Sequence, residues 1–253
     1  MNFVLKTVIG GSAVLAMSSI AMAQASSAGE AENTRLEQYS KLAGLPDWSG
    51  VWAPDWSVNA RNRQLTPEYT PEAAAIVAAF EEGQKRGENL QGQQANCVPP
   101  GVPGVMTQPY PIEFVFTPNA VYIITETYSQ VRRVYTDGRA LPEDPDPYFN
   151  GHSIGRWEGN TLVVETTGLN PQNVLVPGIH ATEQTRIQER IWLEQPDKML
   201  IETTISDPSL FTKPFVARSG LAREHGWEMR EYVCAENNKD AADPFGRPSM
   251  NLD

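Results

Sequence analysis

The sequence predicts an all-β fold: a single antiparallel β-barrel of about eight or nine strands, with an N-terminal extension and one helix. Three observations carry that expectation. Short runs rich in Val, Ile, Thr, Tyr, Phe and Trp recur from residue 112 onward, separated by Gly, Pro, Asn and Asp turns. Most of the intervening connections are short, which favours a meander closing on itself. Only one stretch, residues 71–85, carries helical periodicity with helix-start signals.

Taken in order, residues 1–23 read as a secretory leader: Lys6 is the positive charge, residues 8–22 are apolar and small, and Ala21-Met22-Ala23 fits a cleavage site. Cleavage after Ala23 is expected, with export to the periplasm or beyond. Removing 23 of 253 residues leaves 230, which suits one domain, and losing Lys6 takes the net charge from −11 to −12. Such acidity argues against nucleic-acid partners and anionic membrane surfaces. No later apolar run is long enough for a membrane span. Residues 24–45 are polar and read as a flexible arm, helical around 34–42, with the barrel domain over 46–253.

Residues 71–85 follow Thr70, a good N-cap. Pro71 suits the first helical position and Glu72 the first turn. Residues 97–104, CVPPGVPG, are too proline-rich for a ladder strand and are expected to form a stiff surface segment, continued by Tyr110 and its flanking prolines. In an oxidising compartment the chain's two cysteines, Cys97 and Cys234, are expected to pair; a free nucleophilic Cys is the alternative. No C-x-x-C motif supports redox or metal chemistry.

Ten β-rich runs, at residues 51–52, 112–117, 120–126, 131–136, 152–157, 161–167, 183–193, 199–206, 213–218 and 227–233, are expected to supply the eight or nine barrel strands. The clearest pair is 152–157 with 161–167. A two-residue loop at Gly159-Asn160 pairs Glu158 with Thr161, Arg156 with Val163, Ile154 with Glu165 and His152 with Thr167. Alternation then separates a face with Ser153, Gly155, Trp157, Leu162, Val164 and Thr166 from one with His152, Ile154, Arg156, Val163, Glu165 and Thr167. The second face is either a solvated surface or the lining of a barrel.

Two resemblances follow from these residues. Gly50-Val51-Trp52 at the first strand resembles the start of lipocalin-like barrels, where the Trp closes the barrel floor under an Arg of the last strand. That implies Arg230 for the role. The early position of the helix departs from the lipocalin pattern. The run at 151–167 resembles the core motif of a large family of uncharacterised exported bacterial proteins, Tyr/His-Ser-x-Gly-Arg-Trp-Glu-Gly-Asp/Asn-Thr-Leu-Val-Val. Further matches are Pro100-Gly101-Val102-Pro103, Tyr135 with Asp137-Gly138-Arg139, His180-Ala181-Thr182-Glu183, Asp207-Pro208, Thr212-Lys213-Pro214 and Cys234 with residues 235–238. This second resemblance carries no activity over.

The residues suited to acid–base chemistry are His152, His180, Glu165, Glu183 and Glu113. A histidine needs only a modest shift to act near neutral pH, and a carboxylate partner would orient it. Glu113 sits in an apolar run, where it either pairs with Arg132 or Arg133 or acts as an acid with a raised pKa. Tyr110, Arg132, Arg133, Tyr135, Arg156 and Trp157 are candidates for substrate binding. His152, His180 and a Glu could form a two-His-one-carboxylate set, but no H-x-H or H-E-x-x-H spacing supports a metal, and no dinucleotide or phosphate-loop pattern implies a cofactor. The expectation is an exported, cofactor-independent enzyme acting on a small apolar or aromatic molecule. Lyase or isomerase chemistry is favoured, and hydrolysis is possible. The alternative is a lipocalin-like small-molecule binding protein without catalysis.

Overall fold

A computed structural model describes residues 34, 36–62, 65–88 and 97–234. The leader and the motif residues 235–238 lie outside them. The chain divides into two compact units, Met1–Leu45 and Pro46–Asp253. In the first, residues 36–40 are helical and run into a 3-10 turn, Lys41–Gly44.

The second unit holds the strands β1 (Val51–Pro54), β2 (Ile112–Thr117), β3 (Ala120–Thr125), β4 (Gln130–Tyr135), β5 (His152–Glu158), β6 (Thr161–Thr167), β7 (Val174–Val176), β8 (Ile179–His180), β9 (Arg186–Gln195), β10 (Lys198–Ser206) and β11 (Phe215–Glu224). Nine of them close a barrel in the order β1-β11-β10-β9-β6-β5-β4-β3-β2, and β7 pairs with β8 as a separate ribbon. The barrel is mixed rather than wholly antiparallel. β4 and β5 run parallel through Val134↔Ser153 and Tyr135↔Ile154. A parallel pair needs a crossover in place of a tight turn, and the Pro/Asp-rich residues 136–151 supply it.

The β5–β6 hairpin has the expected register, His152↔Thr167 through Glu158↔Thr161, with Gly159 at φ 59°. Ser153, Leu162, Val164 and Thr166 point into the barrel beside Ile187, Ile191, Met199 and Ile201, all buried.

The last strand differs from expectation. Residues 213–218 and 227–233 are not two strands; β11 runs unbroken across Ser219-Gly220, and residues 227–233 carry no strand. Gly220 marks a close approach of backbone instead of a turn. A short helix, Trp56–Asn62, packs so tightly there that a Cβ on Gly220 would lie 3.0 Å from Val58. Gly220 N donates to Asn59 Oδ1 at 2.8 Å.

One end of the barrel is packed shut. The rings of Trp48, Phe114, Phe116 and Trp157 meet edge-on or tilted at centroid distances of 5.2 to 5.4 Å. Trp52 is fully buried and its Nε1 donates to Trp48 O at 3.0 Å. The guanidinium of Arg223, in β11, lies 4.5 Å from the Trp52 ring and donates to Asp47 O and Pro196 O. The arrangement implied by Gly50-Val51-Trp52 is therefore present, but its Arg is Arg223 and not Arg230, because the last strand ends at Glu224.

The proline-rich segment is also not a surface feature. Val102, Val105 and Met106 are buried, and Gly104–Thr107 forms a 3-10 turn over the other end of the barrel. The backbone there is satisfied by Asn173, whose Nδ2 donates to Val102 O and Phe149 O. Gly101, at φ 59°, permits the contact: a Cβ would lie 2.4 Å from Phe149 O. Among the described residues no helix is long and apolar enough to cross a membrane.

Candidate functional site: the mouth of the barrel

Over the end opposite Trp52 several elements build a cavity. The helix Pro71–Lys85 is capped by Thr70, whose Oγ1 accepts from Ala73 N at 3.2 Å. Thr70 also ties the helix start to the β10–β11 connection, through Thr70 N to Leu210 O and Thr70 Oγ1 to Ser209 O. Tyr69 packs on Phe211 at 5.9 Å. Residues 73, 77 and 81 recur at i, i+4 and i+8, so one stripe of the helix turns toward the barrel. Farther along, Phe80 abuts Gly178 in the β7–β8 turn.

That connection is anchored by Asp207, 2 % exposed. Its carboxylate accepts from Thr182 Oγ1 (2.6 Å), Thr185 Oγ1 (2.7 Å), Ser209 Oγ (2.6 Å) and Ser209 N (3.0 Å). Burial pushes the acid upward, but the hydrogen bonds from Ser209, Thr182 and Thr185 outweigh it and hold the carboxyl below its usual range. The Thr182 and Asp207 motif positions thus meet as a structural clamp on the mouth.

Between these parts lies a cavity of about 880 Å³. Its floor is the upper inner face of β10 and β11, formed by Thr203, Ile205, Phe215, Ala217 and Ser219. Its roof is Val77, Met106, Leu175 and Val176, and its rim includes Trp56, Leu65, Tyr69 and Glu81. Mostly apolar walls with a few placed hydroxyls are the usual make-up of a small-molecule site. Burial, and then the charge of Glu81, raise the Tyr69 phenol, so it stays a neutral donor.

The sequence-derived candidates lie elsewhere. On the outer face of the hairpin Arg156 Nη1 binds Glu165 at 2.8 Å and Arg156 Nε binds Glu158 at 3.1 Å. Arg190 completes the row on Glu158 at 2.9 Å. His152 is half-buried; its Nε2 donates to Asp146 O at 2.8 Å, and its ring packs on Tyr148 at 4.8 Å. His180 is exposed on β8, and Glu183 is exposed just beyond it. Glu113 sits half-exposed on the outer side of β2, in register with Ile124 and Val51. None of these five lines the cavity, and no hydrogen bond or ion pair joins any two of them among the described residues.

The expected pairing of Glu113 with Arg132 is corrected. Arg132 has inward parity on β4, opposite in face to Glu113, and is paired with Glu189. Arg133 lies over Tyr122 at 5.8 Å, and Tyr135 carries the Arg139 guanidinium at 3.7 Å. Trp157 belongs to the closed end. Tyr110 meets Tyr232 at 5.3 Å, and Tyr232 meets Tyr128 at 5.2 Å. Burial, then Tyr232, push the Tyr128 phenol up to about 12. Cys97 and Cys234 are disulfide-bonded, tying residue 234 back beside this cluster. Among the described residues no three His, Cys, Asp or Glu side chains converge as a metal would require.

Two features fall outside the expectations. Inside the barrel, Arg132 makes a bidentate pair with Glu189, Nη1 to Oε1 at 3.1 Å and Nη2 to Oε2, with 1 % and 0 % of the side chains exposed. Ser153 accepts from Arg132 Nε at 3.3 Å and Thr166 from Nη2 at 3.0 Å. A signal for this was present: Glu189 occupies the apolar parity of Ile187 and Ile191, as Ser153 and Thr166 do beside Leu162 and Val164. The second feature is the cavity, toward which the helix Pro71–Lys85 turns Val77 and Glu81.

With this geometry in view, comparison with known proteins adds nothing further: no protein-family model matches the chain, and no curated protein matches it.

Proposed function

We propose that the protein is an exported small-molecule binding barrel that takes an apolar or aromatic ligand in its mouth. The observation that carries this reading is the cavity of about 880 Å³ over β10 and β11, walled by apolar and aromatic side chains and furnished with the Thr203, Ser219 and Tyr69 hydroxyls. A floor packed shut around Trp52 and a cavity at the opposite end is the arrangement a ligand cup needs. The acid–base alternative has less support. None of His152, His180, Glu165, Glu183 and Glu113 lines that cavity, and a general base must come within hydrogen-bond reach of the proton it removes.

The test is a thermal-shift screen of the mature protein against neutral apolar and aromatic compounds. A ligand at about 100 times its Kd stabilises by about 2.7 kcal/mol, a readable shift. Ala217→Trp fills the floor and is expected to abolish the shift of every hit. Hits are then assayed for turnover. Turnover lost in His152→Ala or His180→Ala would overturn the binding reading in favour of catalysis.

A further inference from the structure

We propose that the cavity selects ligands bearing a cationic group, an ammonium on an apolar or aromatic body, with Glu81 as the counter-charge. The inference rests on the binding reading above and narrows its ligand class.

Among the described residues Glu81 is the charged side chain that lines the cavity, and no Lys, Arg or His joins it. A carboxylate ligand would meet Glu81 with no compensating cation from those residues. An ammonium would gain a partner instead. Glu81 continues the stripe of Ala73 and Val77, so the helix delivers a carboxylate where its periodicity delivers apolar groups below.

The neighbouring acid makes the contrast. Glu82 points away from the stripe and pairs with Lys85 at 2.7 Å. Glu81 has no basic partner among the described residues. A bound cation would supply that partner.

The walls fit the same ligand. Trp56, Tyr69 and Phe215 present three aromatic rings at one cavity, and aromatic faces attract ammonium groups. The Tyr69 hydroxyl stays protonated beside Glu81 and can orient the carboxylate.

The test uses three probes with one chain length and different heads: decyltrimethylammonium, decanol and decanoate, each below its micelle concentration. Calorimetric titration of the mature protein at low salt is expected to rank ammonium first and carboxylate last, separated by about tenfold. The gap is expected to narrow with salt. Glu81→Gln should bring the ammonium and carboxylate affinities within about twofold while leaving decanol unchanged. Glu72→Gln, which removes the same unit charge from the start of the helix, should leave the ranking intact.

Carboxylate binding as tightly as ammonium overturns the proposal. So does an ammonium preference that survives Glu81→Gln, because the chain's overall negative charge would then account for it. If decanol binds without head-group selectivity, this inference fails and the binding reading stands. If none of the three probes binds, the binding reading fails with it.

Discussion

On the outer face of the β5–β6 hairpin, Arg156 bridges Glu165 and Glu158, and Arg190 extends the row. On the inner face of the same two strands, Ser153 and Thr166 brace Arg132 against Glu189. The chemistry is similar, guanidinium against carboxylate, but the surroundings are opposite. Arg156 and Glu165 are 55 % and 39 % exposed in their side chains, whereas Arg132 and Glu189 are almost wholly enclosed. In water, attraction between charges is offset by screening and by lost side-chain freedom. In the barrel the pair has already given up hydration, so each partner depends on the other. The outer row does have a local use. Its long side chains lie over Val163, which is 1 % exposed although it points outward.

This contrast can be broken by mutation, and the largest effect is expected inside. Glu189→Gln leaves the Arg132 charge buried without a counter-charge and should cost about 3–5 kcal/mol in denaturant unfolding. Replacing both partners with apolar residues, Arg132→Met with Glu189→Leu, should recover most of that loss. A cost below about 1 kcal/mol for Glu189→Gln would mean that the interior is hydrated in solution.

Asp207 is an intermediate case, a buried carboxylate held by hydroxyls rather than by a cation. Asp207→Asn removes one acceptor's charge from four hydrogen bonds and should cost about 1–3 kcal/mol at neutral pH. The sign with pH follows from its lowered folded-state pKa. The ionised group stabilises the fold fully above the ordinary carboxyl pKa of 3.8 and loses that contribution as pH falls through the lower folded value. Unfolding curves of wild type and Asp207→Asn should therefore be well separated at pH 7 and converge below pH about 4.

The smallest effect belongs to the outer row. Arg156→Ala should change stability by no more than about 1 kcal/mol, and by less in high salt. A loss comparable with that of Glu189→Gln would erase the distinction between the faces.

Much of the fold was legible because local rules suffice for it. Gly159-Asn160 set the hairpin register residue by residue, and Thr70-Pro71-Glu72 set the helix start. The misreadings share a physical origin in long-range packing. Ser219-Gly220 reads locally as a turn, yet Gly220 is needed because the helix Trp56–Asn62 presses on the strand. The prolines at 99, 100 and 103 read as a surface loop, yet Val102 and Met106 are covered by elements distant in sequence. The candidate site was less legible still. Alternation sorted His152, Arg156 and Glu165 onto one face correctly, but periodicity does not say which face points inward. Glu189 among isoleucines was the better guide to the interior. The cavity draws its walls from five separate stretches of chain, and no local motif encodes such a convergence.

On the binding proposal, ligands occupy the cavity over β10 and β11 and not the polar face of the β5–β6 hairpin. The most direct measurement is fluorescence titration with a neutral apolar fluorophore, N-phenyl-1-naphthylamine, on wild type, Ala217→Trp and the double variant His152→Ala/His180→Ala. Saturable binding to wild type is expected, with unchanged affinity in the histidine variant and loss of binding in Ala217→Trp with the fold intact by circular dichroism. Binding that survives Ala217→Trp but disappears in the histidine variant would contradict it.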